Sequence, residues 1–298
     1  MAANEESRAD MEEPNEQIKR KWESQQIRLK EKLLTVDTEE WARFRLVAGE
    51  NEGWTDPKPL TYVGGVDISF IKGDAVKACA ALVVCKLPGM EVVHEDCSMV
   101  ELTAPYIPGF LAFREADFLV DKFNALKESN PEILPQLLMV DGNGILHSRG
   151  FGLASHLGVL VNIPSMGVAK TLFHVDGIEN NEDHKRKIQG LCHAGDTFPL
   201  VGDSGKTYGM ALRSCENTTN PIYISIGHKI SLETAIWASE KCTLFRIPEP
   251  TRQADLRSRE YLRQLLDPPK KKGQTKKEVA KQARKQAAED VQSSEDSD

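Results

Sequence analysis

The sequence predicts an α/β fold, one mixed sheet with helices on both faces. Three patterns carry that expectation. Three strand-like runs follow one another with short links between residues 62 and 100, a long helical pattern occupies 109–128, and strand and helix patterns then alternate to 266. A meander followed by alternation needs antiparallel and parallel pairing in the same sheet, with helices covering both faces.

The elements follow in order. The first fourteen residues are polar and are expected to be disordered. Ile18, Trp22, Leu29 and Leu33 then recur at helical spacing among Lys, Arg, Glu and Gln, which predicts an amphipathic helix over 16–34 lying on the main body. A loop with Gly49, Gly53, Pro57 and Pro59 follows. Strands are expected at 62–71, 75–87 and 91–100, the last two joined by the turn Pro88-Gly89. A helix at 109–128, a short apolar strand at 136–140, a helix at 151–161 and a strand at 165–169 come next. A helix at 181–192, a hairpin at 197–212, a strand at 222–226 and helices at 232–242 and 252–266 complete the body. Beyond Asp267-Pro268-Pro269 the chain lacks bulky apolar residues, so 266–298 is expected to be a charged, disordered tail and 15–265 a single catalytic domain.

Composition narrows the function. Among 298 residues, 40% are apolar and 28% charged, and no apolar run is long enough to cross a membrane. The first forty residues lack the apolar core of a secretory signal, and the six cysteines form no CxxC pair. Both features lead us to expect reduced thiols and a cytoplasmic or nuclear protein that is not secreted. Residues 61–268 hold 20 basic and 25 acidic groups, a net −5 within the chain's −7. Such an acidic body has no overall field for nucleic acid, so a polyanionic partner would have to meet a local basic patch or bound cations. The tail carries eight basic residues between Lys270 and Lys285, fit for phosphate contacts or for a nuclear or nucleolar address.

Three carboxylates stand out. Strand alternation places Val66, Ile68 and Phe70 on one face and Gly65, Asp67 and Ser69 on the other. An Asp in mid-strand between small residues is unusual, although it also suits a solvated face. Glu115 lies on an apolar helix face with Leu111, Phe118 and Leu119, where burial is costly unless it pairs with Arg114 or Lys122 at the helix edge. Asp141 ends an apolar strand and opens Gly142-Asn143-Gly144, a place where α/β folds gather ligands and also plain turn chemistry. Taken together, the three are expected to converge on one side of the sheet. Convergent carboxylates repel unless they hold a hard cation such as Mg²⁺ or Mn²⁺, the usual equipment for phosphodiester hydrolysis. The element order looks like the ribonuclease H-like nuclease fold. Two other motifs fail: Leu200 stands where a phosphate-binding loop ending in Gly205-Lys206-Thr207 needs glycine, and Cys192-His193 has no second zinc pair.

Six segments in order, VGGVDISF, PYIPGFLAFRE, LMVDGNGILHSRGFGLASHLGV, PSMGVAK, SIGHKISLETA and RIPEPTRQAD, resemble the endonuclease V family. Its eukaryotic branch of inosine-specific ribonucleases looks most similar. The resemblance implies a Mg²⁺-dependent endonuclease, with Mn²⁺ as a substitute. Its substrate would be inosine-containing single-stranded RNA and, as a related possibility, deoxyinosine DNA. Cleavage would fall at the second phosphodiester 3′ to inosine and leave 3′-hydroxyl and 5′-phosphate ends.

It implies a metal site of Asp67, Asp141 and Glu115, an active-site Lys170, a histidine near the metal at His228 and an additional acid at Asp255. From the residues alone, Lys170 also reads as solvent-exposed and Asp255 as a helix-start acid pairing with Arg259. Pro105-Tyr106-Ile107-Pro108 matches the family's strand-separating wedge, stiffened by its prolines, though it also suits an aromatic packed under a loop. Gly142, Gly144, Gly150 and Gly152 are expected to let backbone approach the base, and His147 to touch substrate. No membrane contact is expected, and the protein is expected to be a monomer. A ribonuclease H-like repair or junction nuclease of other specificity and a non-catalytic nucleic-acid-binding module are the alternatives.

Overall fold

The meander forms as its alternation predicts. β1 (Tyr62–Phe70), β2 (Lys77–Lys86) and β3 (Glu91–Glu101) pair antiparallel, with Asp67 opposite Ala81. The structure, a computed structural model, describes residues 3–43 and 59–266. The expected Gly49–Pro57 loop and the tail from Asp267 onward lie outside the described residues. α1 (Ala3–Lys30) starts earlier than the 16–34 expectation and takes in most of the segment expected to be disordered. Its polar, Glu-rich first half has good helix formers and only one proline, Pro14.

α2 (Ala112–Ser129) crosses to β4 (Leu137–Asp141), which pairs parallel to β1. α3 (Leu153–Val161) leads to β5 (Ser165–Ala169), parallel to β4. α4 (Glu182–Gln189), the hairpin of β6 (Thr197–Val201) and β7 (Thr207–Leu212), and β8 (Ile222–His228) follow. α5 (Leu232–Lys241) and α6 (Glu249–Leu266) end the described chain. The eight strands form one mixed sheet in the order β3-β2-β1-β4-β5-β8-β7-β6.

Two apolar layers sandwich the sheet, because alternate strand residues point to opposite faces. Val66, Leu82, Leu138 and Val140 pack against Leu119, Phe123 and Leu126 of α2 and Ala154 and Leu157 of α3. Val63, Val83, Met139 and Met166 pack on the other face with Ala235 and Ala238 of α5 and Ala254 of α6. This second layer explains Gly65: a Cβ there would lie 1.8 Å from the backbone oxygen of Pro250. The small residue gives room to the start of α6 rather than to a ligand. α1 is anchored by Trp22, whose ring stacks on Phe113 at 5.3 Å, and by Gln26, whose amide donates to the backbone oxygens of Gly109 and Phe151. All six cysteines are free, and among the described residues no helix is long and apolar enough to cross a membrane.

Candidate active site

The ends of β1, β4 and β5 open into a cleft of about 400 Å³ lined by Asp67, Ser69, Phe70, Asp141, Lys170, Asp255 and Arg259. Each acid arrives for a local reason. Asp67 shares the α6-facing side of β1 with Gly65 and Ser69, and α6 lies along that side. There the Ser69 hydroxyl donates to Asp67 Oδ2 at 2.9 Å and the Ser258 hydroxyl at 2.8 Å. Burial raises the Asp67 pKa; the two serine hydroxyls oppose the rise, and the charges of Asp141 and Asp255 add to it. Asp141 is the last residue of β4, so its side chain clears the sheet edge.

Lys170 follows β5 directly. Its Nζ donates to Asp141 Oδ2 at 2.5 Å and to Asp255 Oδ2 at 3.3 Å. Burial would lower the lysine's pKa, but the hydrogen bond and charge of Asp141, helped by Asp255, outweigh it and the net shift is upward. The ammonium therefore stays charged at neutral pH. Asp255 does pair with Arg259, one helical turn on, at 2.6 Å, and the same carboxylate also reaches Lys170. The sequence spacing showed the first contact, and the tertiary fold adds the second.

Glu115 corrects the expectation of three acids on one side of the sheet. It sits in the first turn of α2, in the opposite layer from α6, near enough to feel the charge of Asp67 but not lining the cleft. It is 7% exposed, and burial, then the charge of Asp67, pushes its pKa up to about 7. The expected pairing with Lys122 does not form; Lys122 is buried and donates instead to Asp96 at 2.7 Å and Ser98 at 2.8 Å. Glu115 has no hydrogen bond or ion pair among the described residues. Among those residues, no three His, Cys, Asp or Glu side chains are gathered at ligand distance, so the expected grip of Asp67, Asp141 and Glu115 is not formed as placed. The ammonium of Lys170 engages Asp141, and the serines engage Asp67. The donor chemistry still suits a hard divalent cation: every candidate is a carboxylate, and Glu115 is a buried, uncompensated one.

His228 is not part of this site. It ends β8, which runs antiparallel to β5, so it pairs with Ser165 at the start of β5, while Asp141 pairs with Val168 near its end. The strand between separates them by roughly 10–13 Å at about 3.3 Å per residue. His228 is buried, accepts a hydrogen bond on Nδ1 from the Leu34 backbone at 3.2 Å, and is pushed down to about 4 by burial, then by Lys229. Its position one strand over, with direction reversed, was invisible without the sheet order.

A second cavity, of about 150 Å³, adjoins the cleft through Asp141, which lines both. Of the residues expected to meet substrate, Tyr106, Gly142, His147 and Gly152 line it, together with Asn143, Phe151 and Phe173, which the sequence did not mark. Tyr106 is 65% exposed, so it is not packed under its loop. The rings of His147 and Phe173 stack at 5.5 Å, and burial, then Arg149 and Lys30, holds His147 down to about 4 and neutral. Pro105, Ile107 and Pro108 do not line the cavity; they flank Tyr106. Gly144 and Gly150 do not line it either. A Cβ on Gly144 would fall 1.9 Å from the backbone oxygen of Ile226, so this glycine serves the crossing of the loop over β8.

Sequence reading passed over Ser258 as a partner of Asp67, although its i+3 spacing from Asp255 on one helix was the available signal. Phe173 carried no such signal, because its neighbour His147 comes from a different loop.

Comparison with known proteins matches residues 47–256 to the family model described as Endonuclease V. Endonuclease V of Homo sapiens is 53% identical over 256 residues, 86% of this chain and 87% of that protein. The Mus musculus protein is 53% identical over 255 residues, 86% of this chain and 72% of the relative. The crystal structure of the catalytic domain of human Endonuclease V superposes with a TM-score of 0.80 at 52% identity, covering 85% of this chain and 99% of that one. Ciona intestinalis Endonuclease V, crystallised with a 24mer DNA containing an inosine followed by a ribo-adenosine, gives 0.72 at 33% identity over 84% of this chain and 99% of that one.

Proposed function

The chain belongs to the endonuclease V family, and on that premise we propose that it cuts inosine-containing single-stranded RNA, with deoxyinosine DNA as a related substrate. Cleavage falls at the second phosphodiester 3′ to inosine and leaves a 3′-hydroxyl and a 5′-phosphate. One observation carries the reading most: Asp141 is a shared wall of the acid cleft and of the cavity at Tyr106 and His147. A nuclease directed by an unusual base needs its recognition pocket beside its hydrolytic groups, because the base must leave the stack while a nearby phosphate is cut.

In this reading Asp67, Asp141 and Glu115 would hold a divalent cation. Such an ion would supply polarisation of the scissile phosphate and a lowered pKa for the attacking water. The protein's own groups do the rest. Lys170 presents a charged ammonium to the phosphate oxygens, where negative charge grows in the transition state. Asp255 orients Lys170, and Arg259 orients Asp255. Ser69 and Ser258 fix Asp67 Oδ2. Tyr106, exposed at the rim and held between two prolines, fills the gap left by the displaced base.

Parallel cleavage of matched inosine-RNA, deoxyinosine-DNA and unmodified strands, with and without Mg²⁺, tests the reading. Metal-dependent cutting of the inosine strands two linkages 3′ to the base is expected, with RNA preferred. Equal cutting of unmodified strands would reject it. Mn²⁺ binding that survives Asp67→Ala, Asp141→Ala and Glu115→Gln alike would reject the metal assignment.

A further inference from the structure

Beyond the acid cleft and its adjoining cavity, one cluster of charge is not explained by the fold. His147 and Gly150 are the ends of a tight turn, the Gly150 N–H donating to the His147 oxygen at 2.8 Å. Gly150 has φ +61°, a conformation that favours glycine. Two ammonium groups from distant parts of the chain meet over it. A Cβ on Gly150 would lie 3.1 Å from Lys30 Nζ, at the end of α1, and 3.7 Å from Lys206 Nζ, in the β6–β7 turn.

Lys30 Nζ donates to the Arg149 backbone oxygen at 2.7 Å, and Lys206 Nζ stands 4.7 Å from the centre of the Tyr208 ring. Neither forms an ion pair among the described residues. Asp176, whose carboxylate accepts from the Ser204 hydroxyl at 2.5 Å, acts on Lys206 through its charge without forming an ion pair with it. Arg149 beside them is already satisfied, by Glu23 at 2.7 Å and by Gln26. Burial first, and then the charges of Lys206 and Arg149, lowers the pKa of Lys30. Lys30, Arg149 and Lys206 thus face two carboxylates, Glu23 on Arg149 and Asp176 near Lys206, which leaves an excess of positive charge at Gly150 in a chain of net −7. The pair is suited to an anion from outside.

We propose that Lys30 and Lys206 bind a backbone phosphate of the substrate strand on the 5′ side of the inosine. The assignment rests on the inosine-nuclease reading for its direction. The acids adjoin the cavity at Asp141, and the scissile linkage lies 3′ of the base. The lysines sit beyond His147, which with Phe173 forms another part of the cavity wall. None of Lys30, Arg149 and Lys206 lines the acid cleft. A strand seated with its base in the cavity and its 3′ phosphates at the acids leaves its 5′ phosphates for the lysine side. Phosphate contacts of this kind position a strand without reading its sequence, and they supply the local basic patch that an acidic body needs.

The test compares the wild-type chain with the Lys30→Gln/Lys206→Gln double variant on two single-stranded RNAs. One has several nucleotides 5′ of the inosine; the other begins with the inosine and lacks a 5′-phosphate. In the wild type, kcat/KM should favour the extended RNA by about tenfold, and the double variant should lose that advantage. The Lys30→Arg/Lys206→Arg variant should keep it. Binding of the extended RNA should also lose about 0.7–1.4 from its log–log salt slope, the signature of one or two released counterions. An advantage that survives in the double variant, or an equal loss on both RNAs, overturns the proposal. If the wild type cuts no inosine strand at all, the nuclease reading fails instead. The salt slope of binding still decides whether the two lysines hold phosphate: an unchanged slope rejects them.

Discussion

The two ends of β5 present polar groups in opposite circumstances. Beyond Ala169, the ammonium of Lys170 meets Asp141 at 2.5 Å and Asp255 at 3.3 Å in an open cleft. At Ser165, the hydroxyl donates to the Ala154 oxygen at 2.7 Å, and His228 opposite accepts from the Leu34 backbone. The first end concentrates charged groups that pair with one another and remain open to substrate. The second spends its polar atoms on neighbouring backbone and is closed. A histidine at a strand end is therefore no sign of catalysis in itself. The direction of the strand that carries it decides which end of the sheet it serves.

The largest expected effect comes from breaking the open end. Asp67→Ala and Asp141→Ala should each cut single-turnover cleavage by on the order of a thousandfold or more while leaving RNA binding largely intact. Near-normal turnover by either folded variant in Mg²⁺ would dissolve the contrast between the two ends. Lys170→Ala should cost about a hundredfold in rate, since it removes one charged donor to the phosphate. Rates compared at saturating substrate check this, and a loss confined to KM would make Lys170 a binding group only.

Tyr106→Ala sharpens the comparison at the rim. Base–aromatic stacking is worth about 1–3 kcal/mol, so a tenfold to hundredfold fall in kcat/KM is expected, with an unchanged melting temperature. An unaltered rate at subsaturating substrate would count against the wedge.

The smallest effect on activity is expected at the closed end. His228→Leu should leave cleavage within about threefold of wild type and lower stability by about 1–3 kcal/mol, because the Leu34 N–H loses its acceptor. The pH dependence carries a sign. The folded-state pKa of His228 is depressed to about 4, so its stabilising contribution is present above the ordinary histidine value of about 6.5 and is lost as pH falls through about 4. His228→Leu should flatten that acid limb in thermal melts from pH 7 to 4. A collapse of activity with stability retained would return His228 to the catalytic set.

Much of the fold was legible in the chain. The meander, α2, the short β4 ending in Asp141 and the alternation beyond it follow from period-two and period-3.6 patterns with Gly and Pro between them, all local effects. Asp67, Asp141 and Tyr106 were marked by local anomalies: an acid in mid-strand, an acid at a strand's end and an aromatic between prolines. Contacts between remote segments were not legible. Ser258 reaches Asp67 across 191 residues and Asp255 reaches Lys170 across 85. Lys30, Gly150 and Lys206 meet from three separate elements.

The sequence by itself determined which elements form and which of their residues are chemically out of place, because backbone preference and side-chain alternation act over a few residues. Only the tertiary structure decided that Glu115 comes from the layer opposite Asp255, that His228 belongs to the far end of the sheet, and that two lysines share one glycine. Strand order and direction set those distances, and they are fixed by packing both faces of the sheet at once, which no local pattern encodes.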